Sequence, residues 1–164
     1  MMAETFQLCM SHDLAERIRR HGAQTFPDEC CGALLGRDTA SNEKVSARDE
    51  SLVEAPREVL ELFPLVNRRD DSPRNRFAVT AEDVRDAEKA AREHGLEVIG
   101  WYHSHPDHPA RPSDFDREHA WPWYSYVIVS VMSGKPADVT SWRLNDDRQN
   151  YSPENIEIRN RTLA

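Results

Sequence analysis

Two histidines separated by one residue, His103 and His105, end the apolar run Leu96 to Tyr102, and Ser113 and Asp116 follow shortly after. A strand places alternate side chains on one face, so both imidazoles point the same way and can converge on one metal ion. Asp116 comes after a short loop stiffened by Pro106, Pro109 and Pro112 and can add an oxygen. Two nitrogens and one oxygen suit a catalytic zinc whose fourth position is left for water. His108, within the loop, is an alternative ligand. His12, His21, His94 and His119 have no such partners and read as surface or core residues.

A water-activating site also needs a carboxylate that is not itself a ligand. Glu29, at the head of the apolar run ECCGALLG, is one candidate. Glu97 and Glu118 lie nearer the histidines in sequence, and residue types alone do not choose among the three. Ser113, three residues before Asp116, reads as the N-cap of a short helix. Its hydroxyl can also donate to a developing oxyanion, and the two roles are compatible. Cys9, Cys30 and Cys31 form no CxxC pair. Neighbouring cysteines on a strand face opposite sides, so Cys30 and Cys31 read as small buried hydrophobes.

The elements that must position these residues follow from periodicity and breakers. Phe6 to Leu8 reads as a short strand, and Ser11 as the cap of a helix carrying Leu14 and Ile18 and ending near Gly22. Glu29 to Gly36 is a strand, and Arg37 to Lys44 a polar turn. Val45 to Val53 and Glu58 to Val66 are further strands, although VLELF in the second also fits a helical turn. Asn67 to Arg76 is a charged loop and Phe77 to Val79 a short strand. Thr80 with Asp83 approaches a capping box that opens a helix from Ala81 to about His94, stopped by Gly95. Leu96 to Tyr102 is the strand that delivers the histidines. A short helix runs from Ser113 to Ala120, with Asp116 in its first turn. Tyr124 to Met132 is the most strand-like run, Val139 to Leu144 is another strand, and Ile156 and Ile158 alternate in a last strand or tail contact. The expectation is an α/β fold, a mixed sheet flanked by two longer helices and one short one.

At 164 residues the chain is expected to be one domain spanning 1–164, with a core over about 6–144 and a C-terminal tail over 145–164. Hydrophobic residues make up 38% and charged ones 30%, which excludes a disordered chain, and the net charge of −8 argues against a nucleic-acid surface. No apolar run approaches the roughly 20 residues of a membrane helix, and Met1 to Met10 lacks the form of a signal peptide. These features give a cytoplasmic expectation, with no nucleic acid and no membrane as partner.

Taken together, FPDECCGALLG and GWYHSHPDHPARPSDFD resemble the JAMM (MPN+) metalloprotease family. That family's pattern is an upstream Glu, then H-[ST]-H-P, six residues, Ser, two residues and Asp. Here these are Glu29, His103, Ser104, His105, Pro106, Ser113 and Asp116, without departure. The resemblance spans about Phe6 to Leu144, and the ECCG element is most similar to small bacterial members that process sulfur-carrier proteins. It implies a JAB/MPN fold similar to that of cytidine deaminases and one Zn²⁺ per chain held by His103, His105 and Asp116. It further implies Glu29 as general base and Ser113 as oxyanion stabiliser. The implied partner is a ubiquitin-like or sulfur-carrier protein cut after its C-terminal Gly-Gly; the loop Asn67 to Arg76 either flanks the substrate channel or is a solvated connector.

Three rival readings carry less of the chain. A non-catalytic MPN-type scaffold predicts missing ligands. A zinc nucleobase deaminase needs P-C-x-x-C, which is absent. A RadC-like JAB protein shares the histidine loop but not ECCG.

Overall fold

The computed structural model describes residues 7–38, 56–66 and 79–160. The expected strands over Val45 to Val53 and Phe77-Ala78, and the loop Asn67 to Arg76, lie outside the described residues. The described residues form seven strands: β1 (Gln7–Ser11), β2 (Cys31–Asp38), β3 (Arg57–Leu65), β4 (Glu97–Pro106), β5 (Ser125–Met132), β6 (Lys135–Leu144) and β7 (Tyr151–Arg159). Among the described residues three helices join them, α1 (His12–Thr25), α2 (Ala81–Glu93) and α3 (Asp114–Glu118).

The sheet is mixed and closes on itself in the order β1-β3-β2-β4-β5-β6-β7, with β7 returning to β1. Pairing is parallel for β1 with β3, β1 with β7 and β4 with β5, and antiparallel elsewhere. The segment 57–65 is a strand rather than a helical turn, because it pairs with β2 along its whole length. Residues 151–159 form a full strand that pairs with both β6 and β1.

Helix α1 touches β1, β3, β4, β5, β6 and β7, so the sheet curls around it. Leu14 and Ile18 bury against Leu8, Met10, Leu34, Val127 and Val129; each such side chain contributes about 1.5–3 kcal/mol. Ser11 caps the helix, accepting from the Leu14 amide at 3.1 Å. The helix does not stop near Gly22 but runs to Thr25. Gly22 is instead a packing glycine, since a Cβ there would meet Val131 at 3.0 Å and Ser104 at 3.3 Å.

Helix α2 lies on the sheet's other face against β2, β3 and β4. Ala87 and Ala91 pack there with Ala33, Leu35, Val98 and Trp101. Its start is the expected capping box, Asp83 N to Thr80 Oγ1 at 3.1 Å and Thr80 N to Asp83 Oδ2 at 3.1 Å. Gly95, at φ +67, provides the left-handed residue after it. Helix α3 ends at Glu118, short of Ala120, and β6 begins four residues before Val139. Among the described residues no helix is long and apolar enough to cross a membrane.

Candidate active site

Strand β4 extends past Tyr102 through both histidines to Pro106. Alternation along it assigns Tyr102 and Ser104 to the α1 side, where the Tyr102 hydroxyl meets His21 Nδ1 at 2.8 Å. Trp101, His103 and His105 take the opposite face, on the α2 side. His103 and His105 are both buried, with their Nε2 atoms 3.1 Å apart. Helix α3 brings in the third group: Asp116 Oδ2 lies 3.1 Å from His105 Nε2 and 3.3 Å from His103 Nε2.

The donor set fits a tetrahedral metal. An ion about 2.0–2.1 Å from each ligand requires ligand atoms roughly 3.3–3.4 Å apart, close to the three separations found. Tautomer chemistry points the same way. His105 Nδ1 lies 2.9 Å from the Pro109 carbonyl, which can only accept, so Nδ1 carries the proton. In neutral His105 the lone pair is therefore on Nε2, facing the Asp116 carboxylate oxygen. Two lone pairs at 3.1 Å call for a positive charge between them. Burial pushes the His103 imidazole below its ordinary value against the pull of Asp116, which favours the neutral, ligating form. Burial opposes ionisation of Asp116, but the adjacent His103 and His105 outweigh it and hold the carboxyl well below the usual carboxylate range.

Ser113 caps α3. Its Oγ accepts from the Asp116 amide at 3.0 Å, and its own amide donates to Asp116 Oδ2 at 2.9 Å. The same carboxylate oxygen thus closes the capping box and faces both imidazoles, which fixes its aim. The cap uses Ser113 only as an acceptor, and its O–H keeps the capacity to donate.

Glu29 precedes β2 by two residues rather than lying in it. Cys31 pairs with His103 across the β2–β4 ladder. The association continues one residue further: Cys30 N donates to Ser104 Oγ at 2.8 Å and Ser104 N to the Cys30 carbonyl at 3.2 Å. That register places Glu29 opposite His105 on the histidine face. Glu29 is 3% exposed, and burial together with the charge of Asp116 pushes its carboxyl up to about 9. Glu97, at the outer end of β4, and Glu118, at the end of α3, are exposed and have no such placement. His108 is exposed too and stays outside the cluster, its carbonyl accepting from Ser130 Oγ. His103, His105 and Asp116 are the metal-capable trio found among the described residues.

His103 and Asp116 open into a cleft of about 620 Å³ lined by Val79, Val84, Trp101, Trp121, Trp123 and Tyr124, among others. The aromatic wall has a local signal in the sequence, the run Trp121-Pro122-Trp123-Tyr124 directly after α3, but no residue-type rule links that run to the histidines. The three cysteines are free and buried, and burial raises Cys30 and Cys31 to about 12.

Comparison with known proteins adds likenesses of three kinds: a family model, a curated relative and solved structures. Residues 11–145 match the family model for prokaryotic homologs of the JAB domain. A desampylase from Haloferax volcanii is 29% identical over 129 residues, covering 76% of this chain and 81% of that protein. Solution structures of proteins from Desulfitobacterium hafniense (31% identical, 94% of each chain, TM-score 0.73) and Salinibacter ruber (42% identical, 91% of this chain and 90% of that one, TM-score 0.66) superpose on it. A crystal structure of a JAB1/MPN domain protein from Archaeoglobus fulgidus shares the fold at 16% identity and TM-score 0.51, over 95% of this chain and 98% of that one.

Proposed function

The chain belongs to the family of prokaryotic homologs of the JAB domain, and from that footing we propose that it is a JAMM-type zinc metallopeptidase. Its substrate is a ubiquitin-like or sulfur-carrier protein, cut at the peptide or isopeptide bond that follows a C-terminal Gly-Gly. One observation carries the reading: His103, His105 and Asp116 present three ligand atoms 3.1–3.3 Å apart, with buried Glu29 on the same face. The likeness to a desampylase supports a substrate of the ubiquitin-like class.

His103 Nε2, His105 Nε2 and Asp116 Oδ2 would hold the ion. When bound, zinc would supply Lewis acidity and lower the pKa of water to roughly 7. Glu29 takes the proton of the attacking water and returns it to the leaving amine nitrogen. A proton carrier works best with a pKa near the working pH. Burial and Asp116 lift Glu29 above that range, and a divalent cation on the adjacent ligands acts in the opposite sense. The Ser113 hydroxyl donates to the oxygen that gains charge as the carbonyl carbon turns tetrahedral. Pro109 keeps the His105 ring in one tautomer, and Ser113 N keeps the Asp116 carboxylate in one orientation.

The test is a cleavage assay. Zinc-loaded protein is incubated with a panel of Gly-Gly-ended ubiquitin-like and sulfur-carrier proteins, extended by a peptide or conjugated through a lysine, and products are weighed by mass spectrometry. A single cut after the second glycine is expected, lost on chelation and restored by zinc. Protein carrying one zinc per chain that cuts no member of the panel would refute the proposal.

A further inference from the structure

Arg57 is among the most deeply buried side chains described, 1% exposed, at the start of β3. Its Nε and Nη2 donate to Asp38 Oδ2 at 3.2 and 2.8 Å. Nη1 reaches across the sheet to the carbonyls of Ile99 and Trp123, at 3.1 and 2.6 Å, and to Ser125 Oγ at 3.0 Å. The guanidinium also lies 4.3 Å from the centre of the Trp123 ring. A buried ion pair adds little net stability compared with apolar packing of similar volume. What this one accomplishes is local: it grips the backbone and the ring of a residue in the wall of the active-site cleft.

Trp123 requires such a grip. Its φ of 86° is a strained conformation for a bulky residue, one that persists only where the surroundings over-determine it. Trp123 is nevertheless 43% exposed, and Trp121 is 62% exposed. The rest of the segment is pinned as well. Trp121 N donates to the Tyr126 hydroxyl at 2.8 Å, and Arg148 donates to the Ala120 carbonyl at 3.1 Å while stacking on the Trp121 ring at 4.9 Å. Exposed indoles held rigidly by cations beneath them are pre-organised anchors for a binding partner, since their ordering cost is met before association.

We propose that Arg57 is a positioning residue that holds Trp123 as a fixed apolar wall, against which the substrate protein lays an apolar side chain next to the metal ligands. This rests on the cleft being the substrate site of the function proposed above. Arg57 touches neither substrate nor metal ligand and acts through Trp123. Lysine keeps the charge but lacks the planar fork that bonds Asp38 and stacks on the ring.

Arg57→Lys, Arg57→Met, Trp123→Ala and the double variant Arg57→Lys/Trp123→Ala separate this role from a structural one. For the Gly-Gly substrate, Arg57→Lys and Trp123→Ala are each expected to raise KM by about tenfold, the effect of losing one anchor. In both, kcat should stay within about threefold and zinc per chain unchanged. The double variant should be no worse than the poorer single one, because both changes remove the same contact. Hydrogen exchange read by mass spectrometry should show faster exchange in Arg57→Lys and Arg57→Met confined to residues 121–124. An unchanged KM in folded Arg57→Lys, multiplying effects in the double variant, or exchange that rises across the whole barrel would overturn the proposal. If the wild type cuts no Gly-Gly substrate, the functional reading fails by itself and exchange alone decides. A rise confined to 121–124 then upholds the hold of Arg57 on Trp123, and an unchanged segment overturns it.

Discussion

Glu29, buried, and Asp116, partly buried, are neighbouring acids pushed in opposite directions. Asp116 is held low by two imidazoles, while Glu29 is pushed up to about 9 by burial and by Asp116 itself. Divergent pKa values in a pair of this kind suit a division of labour, and they support the roles proposed above, Asp116 as ionised ligand and Glu29 as proton carrier. Glu29→Gln keeps the volume and removes the carrier, so zinc content should match wild type while hydrolysis falls below detection. Near wild-type turnover would mean that the base is another residue. A second consequence concerns metal-free protein. Because the folded-state pKa of Glu29 lies above the unfolded value of 4.5, the folded chain binds more protons between about pH 4.5 and 9. Its stability contribution is complete below 4.5 and is lost as pH rises through 9. Glu29→Gln should flatten that decline in urea titrations run in chelator. The two histidines were legible from spacing because a strand's two-residue period is local. Glu29 could not be chosen over Glu97 or Glu118 from residue types, because its place depends on the register of β2 against β4. Cys30 and Ser104, which extend that register, are 74 positions apart.

At the scale of elements, α3 is a five-residue helix whose purpose is to aim Asp116, and its capping box does the aiming. Ser113 is therefore the cap of this helix, and the oxyanion-donor role proposed for it is one that a single substitution can separate from capping. Glycine at an N-cap costs only a few tenths of a kcal/mol relative to serine, whereas alanine costs about 1. Ser113→Gly should leave the thermal midpoint nearly unchanged yet lower kcat by about 10²–10³, the usual loss for one oxyanion donor. A kcat within a few-fold of wild type would leave Ser113 with the cap alone. Both this cap and the one at Thr80 were legible because a cap and its partner sit three residues apart. The end of α1 was misplaced at Gly22 for the converse reason. That glycine is dictated by its approach to Val131 and Ser104 on β5 and β4, which no local pattern contains.

For the molecule as a whole, the decisive pairing is β7 with β1, parallel and joining the two ends of the described chain. Two alternating isoleucines could be read either as a strand or as a tail contact, because a strand's partner 148 positions away leaves no local mark. Without β7 the sheet has two open edges, at β1 and β6. Removing the strand also uncovers apolar surface and breaks an ion pair whose carboxylate is buried. Ile156 and Ile158 pack against the core around α1, worth about 1–2 kcal/mol each when partly buried. Glu154, on β7, receives Arg143 at 2.7 Å and the Ser141 hydroxyl at 2.7 Å, and removing one partner of a buried pair costs about 3–5 kcal/mol. Against a typical domain stability of about 5–15 kcal/mol, these penalties are of the same order as the whole. A chain ended after Asn150 still contains Glu29, His103, His105, Ser113 and Asp116, yet it should lose its sharp thermal transition and its near-ultraviolet circular dichroism and elute as aggregate. A cooperative melt within a few degrees of the full chain would show that closing the sheet is dispensable to the site.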